Sequence, residues 1–315
     1  MKKQANLPKR YLTGWKNMNK FKAAVITASL FLFLLSGCSL KRTIVNSTGL
    51  IMDDVEGAFY EENDILFAQA AIPGNLKLLD GLIRGSNREN ESLLIKGSKL
   101  YGMYAMAFLE DATADKKDDR ENMARAKNFY KRARDYGMAA LMKNNDFKKA
   151  QEGSYDEFKS SLQAFGKNDV EPLFWTAFSW GSFVNLSKNS PMDIADLPKV
   201  KAMIERVIEI DDTYFYGLPH LFMIVYYSMP KMFGGDTDLA KKEYDRVKEI
   251  SGAKLALVEV YMAKHYAVQL QDRALFDTFI EAVNNTDDDV IPEIMFTKVA
   301  KKKAAVMAEK ADQLF

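Results

Sequence analysis

The sequence has little of what catalytic and metal sites are usually built from. Its single cysteine, Cys38, allows neither a disulfide framework nor a thiolate metal cluster. It has only two histidines, His220 and His265, and it contains neither an H-E-x-x-H nor a G-x-S-x-G pattern. The acidic run 287–289 lacks the spaced ligands and the glycine of a calcium loop. We therefore predict that the protein is not an enzyme and that it holds no metal and no cofactor.

A strand pattern is also missing, because apolar and polar residues do not alternate over several positions. The eight prolines and 17 glycines fall mostly between stretches with helical spacing of apolar residues. We expect helices to begin at the caps Ser154, Asp196 and Asp236. The sequence thus predicts an all-α protein with helices at 65–71, 74–83, 91–109, 120–143, 155–164, 170–186, 197–210, 218–228, 238–250, 254–270, 273–283 and 293–314.

The apolar run from Ala23 to Leu34 is too short to span a bilayer, which takes about 20 apolar residues. Lys20 and Lys22 precede it, and the tetrapeptide LSGC at 35–38 closes it. This order is typical of a bacterial lipoprotein signal with its cleavage site. Cys38 is therefore predicted to be the lipidated first residue of the mature chain, whether translation starts at Met1 or at Met18.

We predict a signal peptide at 1–37, a lipidated tether at 38–49 and a helical domain at 50–315. Seven of the 44 basic residues lie in 1–37, which leaves 37 basic against 43 acidic side chains, a net charge of −6. A negative net charge with both signs interspersed argues against nucleic acid as a partner. Ser39, rather than an aspartate, follows the lipidated cysteine, which resembles lipoproteins that diderm bacteria send to the outer membrane. We therefore expect the protein at the inner leaflet of the outer membrane, facing the periplasm.

Three similar segments indicate an internal repeat. The segment 126–133 (AKNFYKRA) recurs at 240–247 (AKKEYDRV) and more faintly at 202–207 (AMIERV). The shared arginines are 74 and 40 positions apart, close to multiples of the period of tetratricopeptide helix-turn-helix units. The small residue that opens each copy lets a neighbouring helix approach closely. The repeat predicts a tetratricopeptide-like solenoid, which would bind partners on its concave face.

Longer ordered stretches give a more specific resemblance, which covers nearly the whole predicted mature chain. They resemble the T-component family of tripartite ATP-independent periplasmic (TRAP) transporters. The matching stretches are 126–137 (AKNFYKRARDYG), 173–190 (LFWTAFSWGSFVNLSKNS), 197–217 (LPKVKAMIERVIEIDDTYFYG), 220–235, Asp272-Arg273 with Phe276, and 311–315 (ADQLF). The resemblance implies a lipid-anchored helical accessory protein in the periplasm that works beside a TRAP-type substrate-binding protein.

Such a protein could dock the substrate-binding protein or pass it a hydrophobic small molecule from the membrane. The alternative is an envelope scaffold or assembly lipoprotein that binds partner proteins through its repeats, without a ligand. Either protein is expected to form a homo-oligomer, because most oligomers are symmetric assemblies of one chain. The membrane is expected as a partner only through the lipid anchor.

Aromatic residues are concentrated in two segments, 174–183 and 215–227. In the first, they cover more than one stripe of a helix, so this helix is either packed on both sides or lines a cavity. Core packing is the simpler reading, and a largely apolar cleft is the alternative. The ligand-binding residues predicted for that cleft are Trp175, Trp180, Asn185, His220 and Tyr227.

Overall fold

The computed structural model describes residues 51–187 and 190–315. Within these ranges no strand occurs, which confirms the all-α prediction. The helices are α1 (51–60), α2 (Ile65–Gly85), α3 (Glu91–Tyr104), α4 (Lys116–Leu141), α5 (Asn145–Ala150), α6 (Tyr155–Ser161), α7 (Val170–Asn185), α8 (Pro191–Ile194), α9 (Leu197–Asp211), α10 (Tyr214–Tyr227), α11 (Thr237–Ser251), α12 (Ala256–Tyr261), α13 (Val268–Leu270), α14 (Arg273–Asn284) and α15 (Ile294–Leu314).

Helix α2 runs through Pro73, where the sequence predicts a gap between two helices. Proline has no N–H, so the carbonyl four residues earlier, that of Gln69, loses its partner within the helix. The hydroxyl of Tyr104 on α3 donates to this carbonyl at 3.4 Å. A neighbouring helix thus satisfies the freed group, and α2 continues as one element.

A short π-helical segment, in which a backbone N–H donates to the carbonyl five residues earlier, directly follows two of the helices; we call each segment a π turn. Helix α3 continues as Ala105–Leu109, and α12 continues as Met262–Ala267 before α13. The N–H of Glu110 donates to the carbonyl of Ala105, five residues earlier, at 2.8 Å. Such turns occur mostly inside helices and often at functional sites. The 3.6-residue spacing of apolar side chains predicts only regular α-helix, so it does not predict these π turns.

The backbone of α10 is interrupted at its start. Phe215, Tyr216 and Gly217 all have positive φ, at 43°, 60° and 85°. Bulky residues avoid this region, so neighbouring groups must hold the turn. The Phe215 ring lies 5.1 Å from the Phe296 ring, and the Tyr216 hydroxyl donates to Glu293 at 2.7 Å. Regular helix begins at Leu218, which is the start of the helix predicted from the sequence.

The helices pack in chain order. Helices α3, α4 and α7 pack against one another, α9 packs on α7, and α10 packs between α9 and α11. Helices α12, α14 and α15 form the C-terminal group. Helix α15 also returns to the N-terminal helices, because Lys310 pairs with Asp119 of α4 at 2.9 Å. The core follows α7, whose Phe174 and Trp175 are almost fully buried.

The repeated segments lie on α4, α9 and α11. Their opening alanines, Ala126, Ala202 and Ala240, are buried. Each shared arginine binds a residue that precedes its own helix in the chain: Arg132 binds Asp80, Arg206 binds the Phe165 carbonyl, and Arg246 binds Asp212. The partner groups differ, because two are carboxylates and one is a backbone carbonyl.

Two of the three predicted caps are confirmed. Ser154 forms a capping box with Glu157, and Asp236 accepts from two backbone N–H groups at the start of α11. Helix α9 begins directly after Asp196, as predicted, but the Asp196 side chain makes no bond to the start of this helix, so only the predicted side-chain cap is wrong. Its backbone is helical rather than extended (φ −80°, ψ −14°). Its carboxylate instead accepts from the indole N–H of Trp180 at 3.1 Å.

No helix in the described part of the chain is both long and apolar enough to cross a membrane. Cys38, the signal peptide predicted at 1–37 and the whole tether predicted at 38–49 lie outside the described residues, as does residue 50. The lipid anchor and these domain boundaries therefore remain predictions.

Candidate functional site

A cavity of about 490 Å³ lies between α7, α10 and the π turn that follows α12. This volume falls in the range that ligand pockets usually have. Exposed residues, among them Pro230 and Gln271, lie along one side of it, and the buried Tyr261 lies on another. The lining residues include Phe178, Gly181, Ser182, Val184, Asn185, Ile194, Leu197, Leu221, Phe222, Val225, Tyr226, Met229, Pro230, Phe233, Tyr261 and Val268.

The wall contributed by α7 is one helical face: Phe178, Gly181, Ser182, Val184 and Asn185. Residues three, four and seven positions apart share a face, so a single stripe reaches the cavity while the rest of α7 packs against other helices. Gly181 lets α10 approach closely, because a Cβ atom at this position would lie 2.5 Å from the Phe222 ring. The helix is therefore both packed on several sides and open to a cavity along one stripe.

The α10 wall is apolar. Leu221, Phe222 and Val225 line it. They belong to the regular part of α10, after the turn at 215–217, so this break sets where the wall begins. Most of the lining is thus hydrocarbon or aromatic surface, and such a surface favours apolar ligands.

Two π turns bring charged groups to one end of the cavity. Glu110 directly follows the first π turn, and Lys264 lies within the second. The Lys264 ammonium contacts Glu110 Oε1 at 2.6 Å and Asp111 Oδ2 at 2.7 Å. The Tyr130 hydroxyl donates to the other oxygen of Glu110 at 2.6 Å. Glu110 and Lys264 line the cavity; we call these two residues, with their partners Asp111 and Tyr130 behind them, the polar end of the cavity.

The charges of the polar end stabilise one another. Burial lowers the pKa of Lys264, but the carboxylates of Asp111 and Glu110 outweigh it and raise this pKa above 10.5. Burial raises the pKa of Asp111, but Lys264 and Lys303 outweigh it and hold this pKa below 3.8. Burial and the Glu110 charge raise the pKa of Tyr130. At neutral pH Lys264 and Asp111 are therefore both charged, and the Tyr130 phenol is neutral.

Hydroxyl and amide groups are also available to a ligand. Ser182 and Asn185 line the cavity from α7, and Ser228 lines it from the end of α10. The Ser228 hydroxyl is buried and has no hydrogen-bond partner among the described residues. A buried hydroxyl without a partner costs free energy, and a polar group of a ligand could satisfy it.

Of the five ligand residues predicted from sequence, Asn185 lines the cavity. The two tryptophans belong to the packing around it. Trp175 is 1% exposed, and its indole N–H donates to the Tyr214 hydroxyl at 3.1 Å. Trp180 is bound by Asp196. Both indole donors are thus used within the protein.

His220 and Tyr227 also have partners elsewhere. The His220 Nδ1 atom lies 2.6 Å from Glu243 of α11, and its Nε2 atom lies 4.0 Å from Asp212. The Tyr227 ring faces the ammonium of Lys201, 5.9 Å from its centroid. The structure therefore brings Asn185 to the cavity and places His220 and Tyr227 at contacts between helices, so a ligand role for these two remains a prediction.

Sequence reasoning missed Glu110 and Lys264. The sequence does contain a signal for Lys264. The stretch 255–267 is mostly apolar, and Lys264 and Glu259 are its two charged residues. A charged residue in such a stretch is usually buried with a partner. Glu110 comes directly after a predicted helix, and nothing in its local pattern distinguishes it from an ordinary helix end. Metal binding finds no support in residues 51–187 and 190–315, where no cluster of three or more His, Cys, Asp or Glu side chains could hold an ion.

Comparison with known proteins identifies a relative and a family. A protein of Treponema pallidum (strain Nichols), itself described as uncharacterised, is 23% identical over 297 residues, which cover 86% of this chain and 91% of the relative. The family model for TRAP transporter T-components matches residues 61–315, almost all of the described region. T-components are accessory components of transporters and are not known as enzymes. The chain belongs to the TRAP transporter T-component family.

Proposed function

We propose that this T-component docks a TRAP-type periplasmic substrate-binding protein and holds an apolar ligand with a polar end group in the cavity between α7 and α10. The observation that carries the proposal is the cavity itself, about 490 Å³ and largely apolar, with charged groups at one end. An amphipathic molecule such as a single-chain lipid matches this distribution. Its chain would contact Phe222 and Val225, and its polar group would reach Asn185, Ser228 or the polar end.

The proposal includes attachment to the membrane. Lipidation at Cys38 would hold the protein at the inner leaflet of the outer membrane, within reach of both lipid and periplasmic carriers. Several acyl chains on one residue make such attachment stable. A stably anchored protein with an apolar cavity is suited to taking a ligand from the bilayer and passing it to a soluble carrier. Docking, anchoring and a homo-oligomeric state are all parts of this proposal.

A cavity-filling variant tests ligand binding. Val225 lines the cavity from α10, so Val225→Trp would place an indole in the space a ligand would use. The matched control is Leu66→Trp, at a position on α2 that is 69% exposed. Both variants add the same side chain, so only the position differs. The probe is the fluorescent apolar dye N-phenylnaphthylamine, titrated into the purified protein.

We expect the wild type and Leu66→Trp to bind the dye alike, and Val225→Trp to bind it at least about tenfold more weakly, a difference of 1.4 kcal/mol. Equal binding by all three proteins would show that the dye binds elsewhere. Absence of binding by the wild type, together with purification from its own cells without any extracted small molecule, would favour the scaffold without a ligand.

A further inference from the structure

A second concave feature lies far from the cavity in sequence, between α2 and α4. It is a groove of about 950 Å³. Asp80 of α2 bridges its two walls, because it accepts from Arg132 at 3.1 Å and from the Tyr136 hydroxyl at 2.8 Å. We call this feature the α2–α4 groove; it is lined by Lys77, Asp80, Gly81, Ile83, Arg84, Arg88, Asn128, Lys131, Arg132, Asp135, Tyr136 and Ala139.

The groove follows the C-terminal parts of both helices. On the α2 side, Lys77, Gly81 and Arg84 are spaced four and three residues apart, which places them along one face, and Arg88 follows in the turn after the helix. The α4 side contributes residues from Asn128 to Ala139. Eleven residues of helix rise about 16 Å. A groove of this length accommodates an extended segment of several residues rather than one small ion.

The charges of this groove are strongly unequal. Five exposed cationic side chains line it, and only two acidic ones do: Lys77, Arg84, Arg88, Lys131 and Arg132, against Asp80 and Asp135. This contrasts with the predicted mature chain, whose net charge is negative. The excess of positive charge is therefore a local property of α2 and α4.

Both acids already have partners. Lys77 contacts Asp80 at 3.0 Å, in addition to the bonds from Arg132 and Tyr136. Asp135 is bound by Arg134, its neighbour in sequence, at 2.8 Å. The side chains of Arg84, Arg88 and Lys131, by contrast, make no ion pair or hydrogen bond with any described residue. Three cations thus face the groove with their charge unused.

We infer that the α2–α4 groove binds an extended acidic segment of a partner protein, whose carboxylates pair with Arg84, Arg88 and Lys131. Clusters of arginine recognise acidic motifs because the guanidinium group pairs with a carboxylate in a planar, two-bonded geometry. The free cations lie on both walls, so a segment between them reaches all three. A flat bilayer surface does not enter a concave groove, and a lone phosphate does not span it. This inference is independent of the transport role proposed above.

The test uses a labelled octaglutamate peptide and the full lipidated protein in neutral detergent, with binding measured by fluorescence anisotropy. The variant is Arg84→Gln/Arg88→Gln/Lys131→Gln. The matched control is Lys148→Gln/Lys149→Gln/Lys254→Gln, which removes the same charge from exposed lysines without described partners. Because none of the six side chains has a described partner, both variants should unfold at the temperature of the wild type.

We expect the groove variant to bind the peptide at least about tenfold more weakly than the wild type, because it loses three exposed ion pairs. The control variant should differ from the wild type in affinity by less than about twofold. Binding should weaken with added salt. Equal weakening in both variants would overturn the inference in favour of a general charge effect, and an absence of peptide binding to the wild type would also overturn it. Displacement of the peptide by phosphatidylglycerol at lower concentration than by unlabelled octaglutamate would overturn it in favour of anionic lipid.

Discussion

The contact between α4 and α7 should be intolerant of a single added methyl group at Gly137. A Cβ atom at this position would overlap Thr176 Oγ1 and lie 2.7 Å from Ser98 Oγ. Thr176 cannot turn away freely, because its hydroxyl donates to the Pro172 carbonyl at 2.5 Å. The substitution Gly137→Ala must therefore move α4 away from α3 and α7 at once. This contact also holds the helix that forms one wall of the cavity.

Two effects of opposite sign decide the magnitude. Alanine favours a helix over glycine by about 1 kcal/mol. Overpacking a buried contact costs about 1–3 kcal/mol, and this site is at the upper end because two helices are displaced. We expect Gly137→Ala to lower the free energy of unfolding by about 2 kcal/mol. In a domain of this size that lowers the melting temperature by about 4–8 °C.

The assay is thermal and urea unfolding followed by circular dichroism, with Gly81→Ala as the control. Gly81 lies inside α2, and an added Cβ there would meet no atom within 4 Å. Gly81→Ala should therefore stabilise the protein by about 0.5–1 kcal/mol. Adding Thr176→Ala to Gly137→Ala should restore part of the loss, because the overlapping oxygen is gone. A Gly137→Ala protein as stable as Gly81→Ala would refute the close packing of α4 on α7.

Three further predictions concern charged groups. Lys264→Met should lower the free energy of unfolding by about 3–5 kcal/mol, because it leaves two buried carboxylates without their cation; urea unfolding measures it, and an unchanged midpoint would contradict the ion pair. Asp111→Asn should destabilise the protein most at pH 7 and progressively less as pH falls below 3.8, because the stability that a carboxyl with a lowered folded pKa contributes is complete above its ordinary pKa and is lost gradually as pH falls toward the folded pKa; an equal difference at pH 7 and pH 3 would be inconsistent with this. Asp236→Ala should cost about 1 kcal/mol through the lost cap of α11, whereas a change below about 0.3 kcal/mol would argue that Asp236 does not cap this helix.

The sequence predicts most helices because each buries one stripe of apolar residues at helical spacing. It fails where tertiary contacts replace local bonds. Pro73 should end a helix, yet α2 continues because Tyr104 satisfies the carbonyl of Gln69. Asp196 should cap α9, yet its carboxylate binds Trp180 from another helix. No local pattern contains the position of such a partner.

The candidate site was predictable in outline only. The two aromatic segments do form cavity walls, since α7 and α10 carry them. The individual residues differ because packing decides which side chains reach the cavity: Ser182 and Phe222 line it, whereas Trp175 fills the core beside it. Glu110 and Lys264 meet through two π turns from parts of the chain about 150 residues apart. That meeting depends on the whole fold.

The most direct test of the central proposal is purification of the tagged, lipidated protein from its own cells in gentle detergent, followed by mass spectrometry of proteins and extracted small molecules. The account predicts that a periplasmic substrate-binding protein copurifies with the wild type, and that an apolar molecule extracted from the wild type is lost from Val225→Trp. Recovery of envelope-assembly proteins alone, with no substrate-binding protein and no small molecule, would contradict it.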